Sequence, residues 1–178
     1  MSELSAETTL TGISAGRWTV DPAASTAAFR HKSVWGLVTV KGTFPVLDGE
    51  GQVGEDGVAK GRVSFDARGL DTKHGKRDKH LRSADFFDVE KHPAVDFVAD
   101  DVRAVGSTGA AVKGWLTVRG VTRPVSFTAD ATAIGDSGVT LAATVVFDRA
   151  DYGMSWNQIG MIVGKAEVTV SLRFVPAG

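Results

Sequence analysis

The residues best equipped for acid–base or metal chemistry are four histidines, His31, His74, His80 and His92. A zinc site needs three or four converging ligands, usually in closely spaced pairs, and the chain contains no cysteine. No two of these histidines have such a spacing, so we expect surface or hydrogen-bonded histidines and no metal site. His31 alone falls on the apolar phase of its segment, which makes it the one obvious titratable group that could face an interior.

The sequence also lacks the motifs of nucleophilic catalysis and of phosphate binding. A serine nucleophile needs a supporting turn such as Gly-x-Ser-x-Gly, and no serine sits in one. Gly49-Glu50-Gly51 is followed by turn and strand residues rather than by a helix, so it is not a phosphate-binding loop. Neighbouring carboxylates such as Asp100 and Asp101 are expected to be solvated. We therefore predict no catalytic residues.

The most strongly charged segment, 73–82, is the best candidate for holding an anionic group. Arg77, Lys79 and Arg82 could receive a ligand head group, because guanidinium and ammonium groups suit phosphate oxygens. The alternative is a solvated loop whose cations pair with nearby aspartates. The same segment lacks a two-residue period, and Asp78 is predicted to cap a short helix in it.

The rest of the chain is patterned as β-strands, which must position these groups. Apolar and polar residues alternate, as they do in strands with one buried face. Segments with this pattern are 27–31, 38–46, 62–68, 95–99, 112–118, 125–133, 139–147 and 166–174. Turn sequences separate them, at Asp48-Gly49, Asp56-Gly57, Arg119-Gly120 and Gly135–Gly138. About eight antiparallel strands result, which close into a barrel or stack as a sandwich.

The apolar face of these strands is rich in alanine, at positions such as Ala99, Ala129, Ala143 and Ala166. An eight-stranded barrel is just wide enough for its own side chains or for one small ligand. Many inward alanines would leave the interior incompletely filled and favour a guest. The alternative is that small and large residues alternate to fit the taper of a packed barrel.

Two tryptophans break the pattern. Trp115 lies on the polar phase of its strand, where it would line an opening or support a contact between subunits, so a homodimer is possible. Trp156 lies in a loop followed closely by Met161 and Ile162. A loop this apolar is predicted either to cover a cavity as a lid or to contact a partner.

Composition and charge bound the remaining possibilities. The chain has 178 residues and a net charge of −1, so it has no global basic field that would attract nucleic acid. Residues 1–16 contain neither a basic n-region nor an apolar run, and we expect a flexible leader on a cytoplasmic protein, without stable membrane insertion. Residues 17–178 are expected to form one domain.

Four ordered motifs resemble those of the YceI-like family of polyisoprenoid-binding proteins, across roughly Gly16 to Val175. The most specific is the charged segment and its continuation, Arg77 to Pro93. The others are Trp18–Pro22 with Ser25, Leu116–Val125 and Asp148–Met154. The family often has a histidine between the first Asp-Pro and the serine. This chain has Ala24 there, so no role of that histidine is carried over.

The resemblance implies an all-β protein, an eight-stranded antiparallel lipocalin-like barrel with one or two short helices. Its lumen would hold an isoprenoid or quinone-like lipid without changing it chemically, and subunits often pair. The helical end would contribute part of the wall, and Met161 and Ile162 would cover the other opening. The candidate wall residues are Phe29, Phe44, Phe65, Leu81, Phe86, Phe87, Phe97, Phe127, Val145, Phe147, Trp156, Met161 and Ile162.

Two other functions stay open from the sequence. One is an enzyme acting on a lipid inside the same barrel, with His31 as its titratable group. The other is a protein-interaction module whose tryptophan-rich loops bind a partner, for which a solid interior is expected.

Overall fold

The computed structural model describes residues 13–135 and 137–177, and they form nine β-strands and one α-helix. The strands are β1 (Gly16–Ser33), β2 (Val38–Phe44), β3 (Val46–Val53), β4 (Ala59–Asp66), β5 (Ala94–Val105), β6 (Gly109–Val118), β7 (Val121–Gly135), β8 (Gly138–Phe147) and β9 (Val163–Pro176). The helix α1 spans Gly75–Arg82, and short 3-10 turns lie at Ala67–Gly69, Arg149–Tyr152 and Gln158–Gly160. No helix in this part of the chain is long and apolar enough to span a membrane.

The strands close into an antiparallel barrel. Each strand from β3 to β8 pairs with the next, and β9 pairs back onto β1. β2 and β3 both pair with β1 and are two halves of one barrel strand, interrupted at Pro45. Proline has no N–H for the ladder, and the break between β2 and β3 falls at Pro45, whereas Pro22 and Pro124 lie within the continuous strands β1 and β7. The predicted eight-stranded barrel is therefore confirmed.

The tight turns were predicted well at two places and wrongly at one. Asp56-Gly57 lies in the β3–β4 turn, and Arg119-Gly120 joins β6 to β7 with φ of 55° and 75° at its two residues. Asp48-Gly49, however, lies inside β3, where Gly49 pairs with Val63. A Cβ at position 49 would lie 2.6 Å from Val20 Cγ2, so this glycine permits a close approach and forms no turn. Asp136 lies outside the described residues.

The predicted helix is present, but its cap is not Asp78. His74 is the N-cap, and its Nδ1 accepts a hydrogen bond from the Arg77 N–H at 3.2 Å. Asp78 lies within α1 and is buried. Its Oδ1 accepts the Thr72 N–H at 2.9 Å and also the Thr72 hydroxyl. A buried carboxylate needs such donors, and they tie α1 to the chain that precedes it.

The connections divide the barrel into two different ends. At the hairpin end the strands are joined by short turns, at 54–58, 106–108 and between β7 and β8. At the helical end lie the turns 34–37 and 119–120 and two long connections, 67–93 and 148–162. The long connections fold over the barrel and carry α1 and the 3-10 turns. The two ends therefore offer a ligand different surroundings.

Candidate ligand-binding site

A large apolar chamber fills the middle of the barrel and extends toward its hairpin end. Its volume is about 300 Å³, at the lower end of the range of about 300 to 1,000 Å³ that small-molecule pockets occupy. Strands β1 to β9 all contribute side chains to its wall. Along β8, for example, alternate residues from Val139 to Phe147 face the chamber, whereas Val146 between them faces solvent. The barrel is thus hollow.

Alanines leave much of this space. The wall includes Ala27, Ala99, Ala129, Ala143 and Ala166, where larger side chains would meet across the lumen. Phe97 and Phe127 pack against each other with ring centroids 5.6 Å apart and form one side of the wall. The alanine-rich face therefore leaves the interior incompletely filled, and it does not serve only to fit the taper of a packed barrel.

A second chamber of about 220 Å³ lies at the helical end. Leu81 and Phe86 reach it from the connection that carries α1, and Trp156, Met161 and Ile162 reach it from the β8–β9 connection. The remaining wall comes from the ends of β1, β2 and β9, and it includes His31, Lys32, Ser33, Val40 and Ala166. This small chamber is therefore built mainly by the connections and is more polar than the large one.

The two chambers are adjacent and share part of their walls. Phe29, Phe87, Arg149, Met154 and Ala166 line both of them. Phe44 stands between the two phenylalanines, 5.0 Å from the ring of Phe29 and 5.3 Å from that of Phe87. We call the wall that the chambers share, together with Phe44, the constriction, and a long molecule that passed it would occupy both chambers.

Arg149 places a guanidinium group at this constriction. Its Nη1 donates to the carbonyl oxygens of Met154 at 2.6 Å and Trp156 at 2.7 Å, and its charge lies 5.9 Å from the ring centre of Phe86. Among the described residues it forms no salt bridge. Burial lowers the pKa of Arg149, an effect that the nearby carboxylate of Asp148 opposes. The group holds the β8–β9 connection in place and presents a cation to both chambers.

His31 lines the small chamber and carries a hydrogen-bond acceptor that receives no donor. Its Nδ1 lies 2.9 Å from the carbonyl oxygen of Lys32, and a carbonyl can only accept, so Nδ1 carries the proton. In the neutral ring Nε2 is then a bare acceptor. This atom is buried and has no hydrogen-bond partner, although the residue lines the small chamber. A buried polar atom without a partner is costly, and a ligand O–H or N–H would satisfy it.

His80 lines the same chamber but is already engaged. Its Nε2 lies 2.9 Å from Asp85 Oδ2, and its ring meets Trp156 edge-on at 4.5 Å and Phe86 at 5.1 Å. The histidine therefore fixes the aromatic wall. The described residues contain no cluster of three or more potential metal ligands.

Each of the thirteen candidate wall residues lines one of the chambers or both. The predicted position of two of them along the barrel was wrong. Met161 and Ile162 lie at the helical end with Leu81 and not at the opposite opening. The β8–β9 connection folds back over the same end as α1, since both connections leave the barrel on that side.

Trp115 lies on the outer face of the barrel, as its phase predicts, and its Nε1–H donates to Asp100 Oδ2 at 2.7 Å.

The three candidate head-group cations are separated by the fold. Arg77 lines the small chamber, and its Nε donates to Thr72 Oγ1 at 2.8 Å. Lys79 and Arg82 lie outside the lining of both chambers. Arg82 instead donates to the Leu70 carbonyl oxygen at 2.6 Å and ties the end of α1 to the start of the same connection.

Sequence reasoning missed several residues of the site. Val168, Val170, Leu172 and Phe174 of β9 line the large chamber, and their alternation was sufficient to find them. Arg149 was missed although it lies in the Asp148–Met154 motif, because a cation beside an aspartate in a loop is normally solvated.

Two solved structures share this fold over most of the chain. One is BcnA of Burkholderia cenocepacia, with a TM-score of 0.76, 17% sequence identity and coverage of 86% of this chain and 98% of that one. The other is a polyisoprenoid binding domain from Saccharophagus degradans, with a TM-score of 0.71, 16% identity and coverage of 90% and 98%. At this identity the likeness establishes the fold.

Sequence relatives extend the comparison. A UPF0312 protein of Pseudomonas putida is 40% identical over 96 residues, which is 53% of this chain and 50% of that protein. The matched part thus spans half the length of that relative. A UPF0312 protein of Vibrio cholerae is 33% identical over 126 residues, 67% of each chain. A family model described as the YceI-like domain matches residues 18–175, nearly the whole barrel. The chain therefore belongs to the YceI-like family, as its four motifs indicated.

Proposed function

We propose that this barrel binds an isoprenoid or similar long-chain amphiphile and stores or transports it without chemical change. The observation that carries the proposal is the pair of adjacent chambers, of about 300 Å³ and 220 Å³, inside one closed barrel. A natural orientation puts the hydrocarbon chain in the large chamber and the polar end in the small one. The similarity to a polyisoprenoid binding domain of Saccharophagus degradans supports this ligand class.

The large chamber suits a hydrocarbon chain for a simple energetic reason. Burial of each CH₂ group contributes about 0.8 kcal/mol, so ten such groups contribute about 8 kcal/mol before the cost of association. The wall offers almost no hydrogen-bonding groups that a polar ligand could use. Affinity is therefore expected to follow the length of the buried chain.

The small chamber suits a polar end group that both donates and accepts hydrogen bonds. His31 Nε2 is an acceptor without a donor, so a hydroxyl of the ligand is its natural partner. Arg77 and Arg149 line the same chamber and present N–H groups to an oxygen of the ligand. A prenyl alcohol or phenol satisfies these groups better than a hydrocarbon does.

We propose no chemical step, because the described residues of the lining include no activated nucleophile. In the described part of the lining, no hydroxyl is hydrogen-bonded to a histidine. Tyr152 is buried beside Phe147, and burial raises the pKa of its phenol, so it stays neutral near pH 7. The chambers can hold an amphiphile and exclude water, and these properties are sufficient for a carrier.

The test is uptake of a long prenyl alcohol by delipidated protein, followed by native mass spectrometry and by titration of intrinsic fluorescence. A one-to-one complex is expected. Ala99→Phe, which places a ring in the large chamber, should weaken uptake at least tenfold. The matched control is Val98→Phe, because the neighbouring side chain faces solvent and its enlargement leaves the lumen unchanged. Absence of uptake, or equal uptake by both variants, would overturn the proposal.

A further inference from the structure

Large apolar side chains protrude from the helical end. Trp35, Leu37 and Val38 lie at and beside the β1–β2 turn, and Ile159 lies in the β8–β9 connection. Leu37 is 83% exposed and Ile159 is 73% exposed, so these side chains contribute almost nothing to the core. We call these four residues the apolar tip. Side chains of this kind at a loop summit indicate contact with something other than water.

The backbone at the tip is strained as well. Val34, Trp35 and Ile159 have φ of 51°, 52° and 49°, in the left-handed region. Asparagine and glycine are usual at such positions, whereas β-branched residues are rare there. Trp35 and Ile159 combine this left-handed backbone with an exposed side chain, which points to a role outside folding.

The two loops of the tip form one unit beside the small chamber. The Trp35 N–H donates to the carbonyl oxygen of Met161 at 3.0 Å, and Met161 lines that chamber. Lys32 lines the chamber too, and it is exposed. The small chamber therefore reaches the surface next to the tip.

Cations surround the tip. The strand ends that carry it, 30–33, 38–41 and 163–167, contain Arg30, Lys32, Lys41 and Lys165. The single carboxylate in these segments is Glu167, which lies 3.8 Å from Arg30. The chain as a whole carries a net charge of −1, so positive charge is concentrated where the apolar tip protrudes. Apolar side chains, an indole and a cationic rim together are complementary to an anionic lipid surface.

We propose that the apolar tip docks the barrel on an anionic lipid bilayer, with the small chamber opening at the interface. Trp35 would lie among the head groups, Leu37 and Ile159 would enter the edge of the acyl region, and the cations would contact lipid phosphates. The contact is peripheral and reversible, because only a few side chains enter the bilayer. An amphiphile could then pass between membrane and barrel without crossing bulk water. This proposal goes beyond ligand binding in the lumen and does not require it.

The test is cosedimentation of delipidated protein with two kinds of vesicle. One kind is phosphatidylcholine alone, and the other is phosphatidylcholine and phosphatidylglycerol in equal parts. Binding to the anionic vesicles is expected to be stronger, to weaken at raised salt, and to shift the emission of Trp35 to the blue. The double substitution Leu37→Asp and Ile159→Asp should reduce vesicle binding by about tenfold or more. Trp35→Phe should abolish most of the emission shift.

Matched variants separate the apolar from the electrostatic contribution. Val105→Asp is the control, because Val105 is also exposed but lies at the hairpin end, and it should bind vesicles like the wild type. Lys41→Glu with Lys165→Glu should weaken binding to the anionic vesicles and leave the weak binding to phosphatidylcholine unchanged. The thermal unfolding midpoint of each variant verifies that it is folded.

Three results would overturn the proposal. They are an absence of vesicle binding, equal losses for the tip variant and Val105→Asp, and a tip-dependent dimer in sedimentation velocity without vesicle binding. The last would identify a second copy of the chain as the occupant. Uptake of a prenyl alcohol from solution is measured separately on the same variants, so failure of docking and failure of lumen binding are distinguishable.

Discussion

The two chambers of the barrel are made in different ways. The wall of the large chamber comes mostly from regular strands, whose inward side chains are mainly Ala, Val, Leu and Phe. The wall of the small chamber comes mostly from loops and one helix, and it includes His31, Arg77, His80 and Arg149. A strand repeats the same environment every second residue, whereas a loop can place a single polar group at one point. The strands thus provide a long apolar space for a hydrocarbon chain, and the connections provide polar groups for the end of that chain.

The largest effect is expected from the large chamber. Lengthening a prenyl alcohol by one isoprene unit should tighten binding by about tenfold or more, since each buried CH₂ contributes about 0.8 kcal/mol. The gain should stop when the chain fills the chamber. Isothermal titration with a series of prenyl alcohols measures this dependence. Affinity that did not change with chain length would break the distinction between the chambers.

A smaller effect is expected from the constriction between them. Arg149→Met removes two charge-assisted hydrogen bonds to the carbonyl oxygens of Met154 and Trp156, and it should lower the free energy of unfolding by about 2 to 4 kcal/mol. Denaturant unfolding measures the change. The control is Arg103→Met at the hairpin end, where an exposed pair with Asp101 contributes less than about 1 kcal/mol. Equal losses would show that Arg149 does not hold the connection.

A still smaller effect on ligand affinity is expected from one hydrogen bond, which the hydroxyl of the ligand would donate to His31 Nε2. His31→Phe removes the acceptor and keeps a ring in place, so the affinity for a prenyl alcohol should fall by about threefold to tenfold. The affinity for the corresponding methyl ether, which has no O–H to donate, should be unchanged or slightly raised. Parallel titrations of the alcohol and the ether with both proteins give the answer. The same loss for both ligands would place the head group elsewhere.

The smallest effect concerns pH. Burial raises the pKa of Tyr152 above that of an exposed phenol, so the folded state binds this proton more tightly than the unfolded state. Stability from this group is complete below the unfolded pKa and is lost as the pH rises toward the folded pKa. Wild-type stability should therefore decline in this alkaline range more steeply than that of Tyr152→Phe. Thermal unfolding across the range measures the difference, and parallel curves would contradict it.

The sequence predicted most of what lies on strands. The alternation of β8 and β9 identified the inward face, and the seven candidate wall residues that lie on strands all line the large chamber: Phe29, Phe44, Phe65, Phe97, Phe127, Val145 and Phe147. His31 was found in the same way, by its phase. These predictions hold because the two-residue period of a strand fixes which face a side chain occupies once the barrel closes.

Three errors share one cause. Asp48-Gly49 has the composition of a turn but lies in β3, because Val20 of another strand needs the space. Asp78 has the composition of a helix cap but accepts hydrogen bonds from Thr72 inside the fold. Met161 and Ile162 were placed at the wrong end, since the path of a loop is set by what it packs against. In each case a distant segment decided the outcome.

The sequence by itself determined the class of the fold, the number of barrel strands, their inward faces and the family. It could do so because these features depend on local periodicity and on motifs contiguous in the chain. The tertiary structure alone decided that the lumen is hollow, that it has two chambers, that Arg149 and His31 line them, and that His31 Nε2 is buried without a partner. Whether space remains between side chains, and whether a polar atom finds a partner, depends on residues far apart in the chain that meet only when the barrel has closed.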